Sequence, residues 1–249
     1  MGFRSFIGLF RSEQLKISRS RIWAIIIASP LLAVIIGSLV SLDKLPTEAH
    51  YLFLQTVTFS LHALLLLPIM TAILSATVCR YEHEGGGWKS LLSLPTSRMN
   101  VYLVKFIIVA LLLAVTQLLM LVAFGIALTV QGIPGGLNLE LTLPAIISGW
   151  VACLPLAALQ LWVSIGWSSF GAALAINVVF TLPNILIVNS EQFGPYYPWA
   201  QPAFGMIVSE GGASFSGLTL PMENLFITVG GSFLFFFIGG LLYLKRKEV

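Results

Sequence analysis

From Leu141 to Ser190 the chain carries no Asp, Glu, Lys or Arg, and charge is scarce elsewhere too, at 9% of 249 residues. So few charges cannot cover the surface of a water-soluble domain, so the solvent of this chain is mostly lipid. Cysteine is nearly absent: Cys79 and Cys153 imply no oxidised framework, and two free thiols are expected. There is no Asn-x-Ser/Thr acceptor, no repeat of about 20 to 50 residues and no low-complexity stretch. Hydrolytic signatures are missing as well, with neither H-E-x-x-H nor G-x-S-x-G. Gly85-Gly-Gly-Trp-Lys-Ser90 falls short of a phosphate loop, because Trp88 separates Gly from Lys and the flanks are apolar helices. Neither catalysis nor a metal site is expected in this polypeptide.

What the chain has in quantity is apolar sequence, 57% of all residues. A helix crossing roughly 30 Å of hydrocarbon needs about 20 residues. Spans are expected at 22–42, 53–78, 106–130, 142–165, 171–188 and 225–244, an all-α integral membrane protein with six transmembrane helices. The fourth and fifth come from one uncharged stretch, which as a straight helix would reach about 75 Å and must therefore turn back. Gly166-Trp-Ser-Ser-Phe-Gly171 is the expected reversal, since its glycines and serines weaken a helix.

Basic residues set the orientation. Arg4, Arg11, Lys16, Arg19 and Arg21 precede the first span, Arg80, Lys89, Arg98 and Lys105 lie between the second and third, and Lys245, Arg246 and Lys247 follow the sixth. Only Lys44 falls on the other side. Asp43, Glu48, Glu140, Glu191, Glu210 and Glu223 are expected outside, and Glu13, Glu82, Glu84 and Glu248 inside. Both termini are then cytoplasmic, and the net charge of +3 is an orientation signal with no bearing on nucleic acid. The first apolar run is too long for the core of a cleaved signal peptide, so it is expected to remain as a span.

Residues 1–21 place Phe3, Phe6, Ile7, Phe10 and Ile17 on one helical face, with Arg4, Arg11, Ser12 and Lys16 elsewhere. A cytoplasmic helix lying on the membrane surface is expected, and a basic tail that only enforces topology is the alternative. The expected spans hold no Asp, Glu, Lys or Arg, which argues against an ion-coupled carrier. His62 is their one ionisable side chain. Gln117, Gln160, Asn177 and Asn184 are the main polar ones, suited to hydrogen bonds between helices.

The cytoplasmic segment 79–105 is the one dense cluster of charge away from the termini. The second span should run into water through Arg80-Tyr-Glu-His-Glu84 and break at Gly85, Gly86 and Gly87. A short helix should then restart, with Trp88, Leu91, Leu92 and Leu94 on one side, Lys89, Ser90 and Ser93 on the other, and Pro95 at its end. Thr96 or Ser97 should cap the next helix, with Arg98 and Lys105 anchoring the third span at the surface. Such a helix fits a groove on a cytosolic partner, and the alternative is that it only lies on the membrane.

The run YEHEGGGWKSLLSLPTSRMNVYLVKF resembles the signature of ABC-2-type transporter permeases, above all the immunity permeases of lantibiotic producers. Glu82, Glu84, Trp88, Lys89, Leu91, Leu92, Pro95, Ser97, Arg98 and Lys105 carry the likeness, and Gly85 to Gly87 depart from it. The resemblance implies one ABC-2-type transmembrane domain over 1–249, whose 79–105 loop supplies the helix coupling it to an ATPase. It implies two copies of a separate ATP-binding cassette subunit carrying ATP and Mg, a second permease subunit, identical or homologous, and no cofactor in this chain. It further implies export of a lantibiotic or similar antimicrobial peptide from the cell membrane for self-protection. Segment 189–224, with Pro195, Tyr196, Tyr197, Pro198, Trp199 and Pro202, resembles the partly inserted outer helices of such permeases, and an interfacial aromatic belt is the other reading. A drug, a lipid or another peptide as cargo stays open. Two other classes share the topology: a scaffold would bind no ATPase, and an ion-coupled carrier would fail when His62 is replaced.

Overall fold

The computed structural model describes residues 3–18, 20, 22–190, 192–207 and 222–247. Arg19, Arg21, Glu191, Glu210, Glu248 and the stretch 208–221 lie outside the described residues, as do the side chains of Phe3, Arg4 and Glu223. The described residues are almost wholly helical and include no strand. Among the described residues six helices are long and apolar enough to cross a membrane: Ile22–Leu39, Thr47–His83, Arg98–Val130, Leu139–Gly166, Phe170–Ile187 and Ile227–Arg246. This is a multi-pass membrane protein.

In chain order the α-helices are α1 (Phe3–Ser18), α2 (Ile22–Leu39), α3 (His50–Leu61), α4 (Leu67–His83), α5 (Gly87–Ser93), α6 (Arg98–Val130), α7 (Leu139–Gly166), α8 (Phe170–Thr181), α9 (Asn184–Ile187), α10 (Gln201–Met206) and α11 (Met222–Arg246). α6 and α7 form the centre, with α2 and α1 along α6, and α4, α10 and α11 against α7. α1, α5, the start of α6 and the end of α11 meet at one end of the bundle, the basic end.

Local chemistry explains the breaks. α3 joins α4 through a π turn, His62–Leu66, within one continuous second span. Pro68 has no N–H to offer the Leu64 carbonyl four residues back, and Asn184 Nδ2 supplies the missing donor at 2.8 Å. The same amide nitrogen also donates to the Trp199 carbonyl at 2.8 Å. α7 ends at Gly166 and α8 starts at Phe170, with Ser169 Oγ accepting from the Ala172 N–H at 3.3 Å as its N-cap. The chain thus reverses over residues 167–169.

At the end away from the basic residues, α9, the 3₁₀ turn Gly194–Tyr196 and α10 tuck into the bundle. Trp199, Ala200, Gln201, Ala203 and Met206 are buried, while Tyr196 is exposed. Trp199 therefore belongs to the interior, stacked on Phe180 with ring centroids 5.0 Å apart. α10 lies so close to α7 that a Cβ on Gly205 would sit 2.7 Å from the Ser148 carbonyl oxygen.

Candidate functional site

α4 carries its helix past the expected span end, through Arg80, Tyr81 and Glu82 to His83. Glu84 is extended, and Gly85 and Gly86 follow at φ +58° and +75°, the left-handed region that only glycine occupies without strain. Two glycines in that conformation fold the chain straight back. A Cβ on Gly87 would lie 2.6 Å from the Tyr81 carbonyl oxygen, so α5 begins in direct contact with the end of α4. α5 stops at Ser93 because Leu94, preceding Pro95, is held extended at φ −67°, ψ 151°. Of the two candidate caps for α6, Ser97 takes the role, its Oγ accepting from the Asn100 N–H at 3.1 Å.

α5 is amphipathic, but its apolar side is spent within the chain. Trp88 and Leu91 are buried and Leu92 is half-buried against the core, while Lys89, Ser90, Ser93, Leu94 and Pro95 face out. Trp88 Nε1 donates to His83 Nδ1 at 3.3 Å, and His83 Nε2 donates to the Ser164 carbonyl of α7 at 2.7 Å. Both bonds are met by one neutral imidazole tautomer. The Lys247 ammonium lies 4.7 Å from the centroid of the Trp88 ring and donates to the Ile165 carbonyl. Burial holds this lysine below its ordinary titration range. Arg98, expected as a surface anchor, instead donates to the carbonyls of Leu244, Lys245 and Lys247 at 3.1, 2.6 and 2.9 Å, closing the C-terminal end of α11.

The largest correction concerns Lys105, which is not at the surface but 1% exposed. Its ammonium donates to Glu13 Oε2 at 3.1 Å and to the Val78 carbonyl at 2.8 Å, and forms an ion pair with Glu82 Oε2 at 2.8 Å. Lys16 completes the group, contacting Glu13 Oε1 and lying 2.7 Å from Glu82 Oε1. Two carboxylates and two ammoniums from α1, α4 and α6 thus neutralise one another. The burial of Glu13 turns one side of α1 inward along Leu9, Glu13 and Ile17, so α1 is docked onto the bundle as well as amphipathic. Glu82 and Glu84, adjacent acids in the sequence reading, separate completely: Glu82 is buried in the quartet, whereas Glu84 makes an open pair with Arg80 at 2.8 Å.

Of the ten residues singled out by sequence, the structure gathers Glu82, Trp88 and Lys105 around one locus and leaves Glu84, Lys89 and Pro95 on the surface. Missed were Glu13, Lys16, His83, Ser164 and Lys247. For Glu13 and Lys16 the i,i+3 spacing was the one available signal.

Farther along the bundle, Ser29 Oγ and His62 Nδ1 are 2.6 Å apart, and Gln117 Nε2 donates to Met206 Sδ at 3.5 Å. Asn184 joins α9 to the π turn as described. These groups tie helix to helix.

A family model described as ABC-2 family transporter protein matches residues 9–184, more than two thirds of the chain, from α1 through the first residue of α9. All ten sequence-selected residues fall within it. No curated protein matches the chain.

Proposed function

Because this chain belongs to the ABC-2 family of transporter proteins, and is therefore a membrane permease of an ABC transporter, we propose that α5 is its coupling element. ABC-2 permeases work with an ATP-binding subunit. In this reading two copies of a separate ATP-binding cassette subunit, carrying ATP and Mg, engage this chain and a second, identical or homologous permease from the cytoplasm. The basic end and both termini face inward, in keeping with the positive-inside rule.

The observation that carries the reading is the division of α5 into a root and a free face. Trp88 and Leu91 fasten the helix to the bundle, while Lys89, Ser90, Ser93 and Leu94 stay open to a groove on a partner. Force applied to that face reaches α7 through His83 and Ser164, and α11 through Lys247 and Arg98. The fourth and sixth spans therefore join the second and third in responding to the ATPase.

The cargo proposed is a lantibiotic or similar antimicrobial peptide, expelled from the cell membrane for self-protection. Its support is the likeness of Glu82 through Lys105 to lantibiotic-immunity permeases, with Trp-Lys-x-Leu-Leu followed by Leu-Pro-x-Ser-Arg.

The test separates root from face. With the tagged chain purified in mild detergent, a Lys89→Glu, Leu94→Asp variant should lose the accompanying ATPase. A Trp88→Ala variant should keep the ATPase and its hydrolysis but lose transport. Loss of neither partner nor transport in both variants removes the coupling role. Deleting the chain should sensitise a producing cell to its own peptide; unchanged sensitivity removes the cargo assignment and leaves the permease.

A further inference from the structure

An open cavity of about 200 Å³ lies between one flank of α1, the start of α2 and the flank of α6. Its walls are Ile17, Trp23, Ile108, Leu111, Leu112 and Val115, with Phe10 at one end. Positions 108, 111, 112 and 115 form an i, i+3, i+4, i+7 stripe, which runs about 10 Å along α6 away from the basic end. That length fits within one leaflet, about half of a roughly 30 Å hydrocarbon core. The polar features are confined to the α1 edge. Gln14 and Ser18 line the cavity there, and Arg11 precedes them on the same helical stripe at i, i+3, i+7 spacing. Arg11 and Gln14 are exposed and make no side-chain hydrogen bond or ion pair among the described residues.

We propose that this groove holds one acyl chain of an anionic phospholipid from the leaflet at the basic end, with its phosphate beside Arg11 and Gln14. Charge and shape agree on this occupant. The groove opens on the lipid-facing flank of a spanning helix, where a water-soluble partner does not reach, and the cation stands at the rim, where a headgroup sits. Trp23, half-exposed at the start of the first span, closes the groove at the interfacial level that indoles prefer. The lipid would lie along the flank of α1 beside its Glu13 side, against the helix that carries half of the ion quartet.

The test uses the full chain in nanodiscs of phosphatidylcholine doped with phosphatidylglycerol brominated on its acyl chain. Trp23 emission is read as the difference between the wild type and Trp23→Phe. Saturable quenching by one phosphatidylglycerol per chain is expected, stronger than by brominated phosphatidylcholine. Arg11→Gln should weaken the preference about fivefold, the effect of one cation at a membrane surface. Leu111→Trp, which fills the groove from its lipid side, should abolish the saturable component. Equal quenching by both lipids in the wild type, or saturable quenching retained in Leu111→Trp, overturns the proposal. So does displacement by a hydrophobic peptide but not by unbrominated phosphatidylglycerol, which would assign the groove to cargo. Arg11→Gln changes only an exposed side chain, so its result stands even if Leu111→Trp does not fold.

Discussion

At the basic end, helices meet through charge: Lys105 reaches acceptors on α1 and α4, Arg98 holds the end of α11, and Lys247 sits on Trp88. At the far end they meet through neutral contacts: Asn184 bonds two carbonyls, Gln131 Nε2 bonds those of Gly37 and Val40 at 2.7 and 2.8 Å, and α10 presses on α7 at Gly205. The difference is mechanical. Directional contacts, ion pairs for α1 and the Trp88 indole for α5, tie these short elements to the span ends they grip. Tightly packed neutral surfaces resist sliding, so the far end is expected to yield less than the basic end.

The comparison breaks most severely at Glu82. Glu82→Ala breaks a buried ion pair and leaves Lys105 with Glu13 as its one carboxylate, which should cost up to about 3–5 kcal/mol, the usual penalty for removing one partner of a buried pair. Thermal melting in detergent should show a large drop, with α1 becoming accessible to protease. The double variant Glu82→Leu, Lys105→Met removes both charges and should recover much of that loss, because an apolar substitute needs no counter-ion. Melting of Glu82→Ala unchanged from the wild type would show that the quartet does not hold the basic end together.

The matching cut at the far end is Asn184→Leu. It strips the donor from the Leu64 and Trp199 carbonyls, at about 1–3 kcal/mol for each buried acceptor left unpaired. Pro68 already denies Leu64 its i+4 helical donor, so the Asn184 amide is not replaced from that position. The expected signature is a lower melting temperature with ATPase-subunit binding intact. Loss of that binding would mean the two ends are not mechanically distinct.

Gly87→Ala comes next, at about 1–3 kcal/mol for forcing a methyl against the Tyr81 carbonyl. Its effect should concentrate on coupling, with hydrolysis retained and transport reduced, since α5 must swing off the end of α4 to make room. A variant with normal transport would show that the seat of α5 tolerates displacement.

How much of this was legible in advance depended on the range of the interactions. The six helices follow from composition, and the reversal at 167–169 from Gly166, the serines and Gly171, all local signals. The turn at Gly85 and Gly86 and the cap at Ser97 were equally local. Lys105 was misread as a surface residue because its acceptors are distant in sequence: Glu13 lies 92 positions away, and Lys16 is 66 from Glu82. Apolar periodicity placed α1 correctly as a helix but could not tell that its acid faces inward. The inward seat of Trp88 was not legible, because an exposed and a buried indole look the same on a helical wheel. The cations that hold it inward, Lys247 above all, come from the other end of the chain.

The smallest expected effect is also the sharpest control, because it lies two residues from the largest. Glu84 pairs with Arg80 at 2.8 Å, an i,i+4 geometry as good as any in the quartet, yet both side chains are more than half exposed. Water solvates each ion nearly as well alone as paired, and salt screens what attraction remains. Glu84→Gln should therefore leave the melting temperature unchanged at both low and high salt, while Glu82→Gln, retaining shape but not charge, should lower it at both. Equal losses in the two variants would mean that local net charge, and not burial, stabilises this segment. A loss in Glu84→Gln confined to ATPase-subunit binding would instead place Glu84 on the surface that meets that subunit.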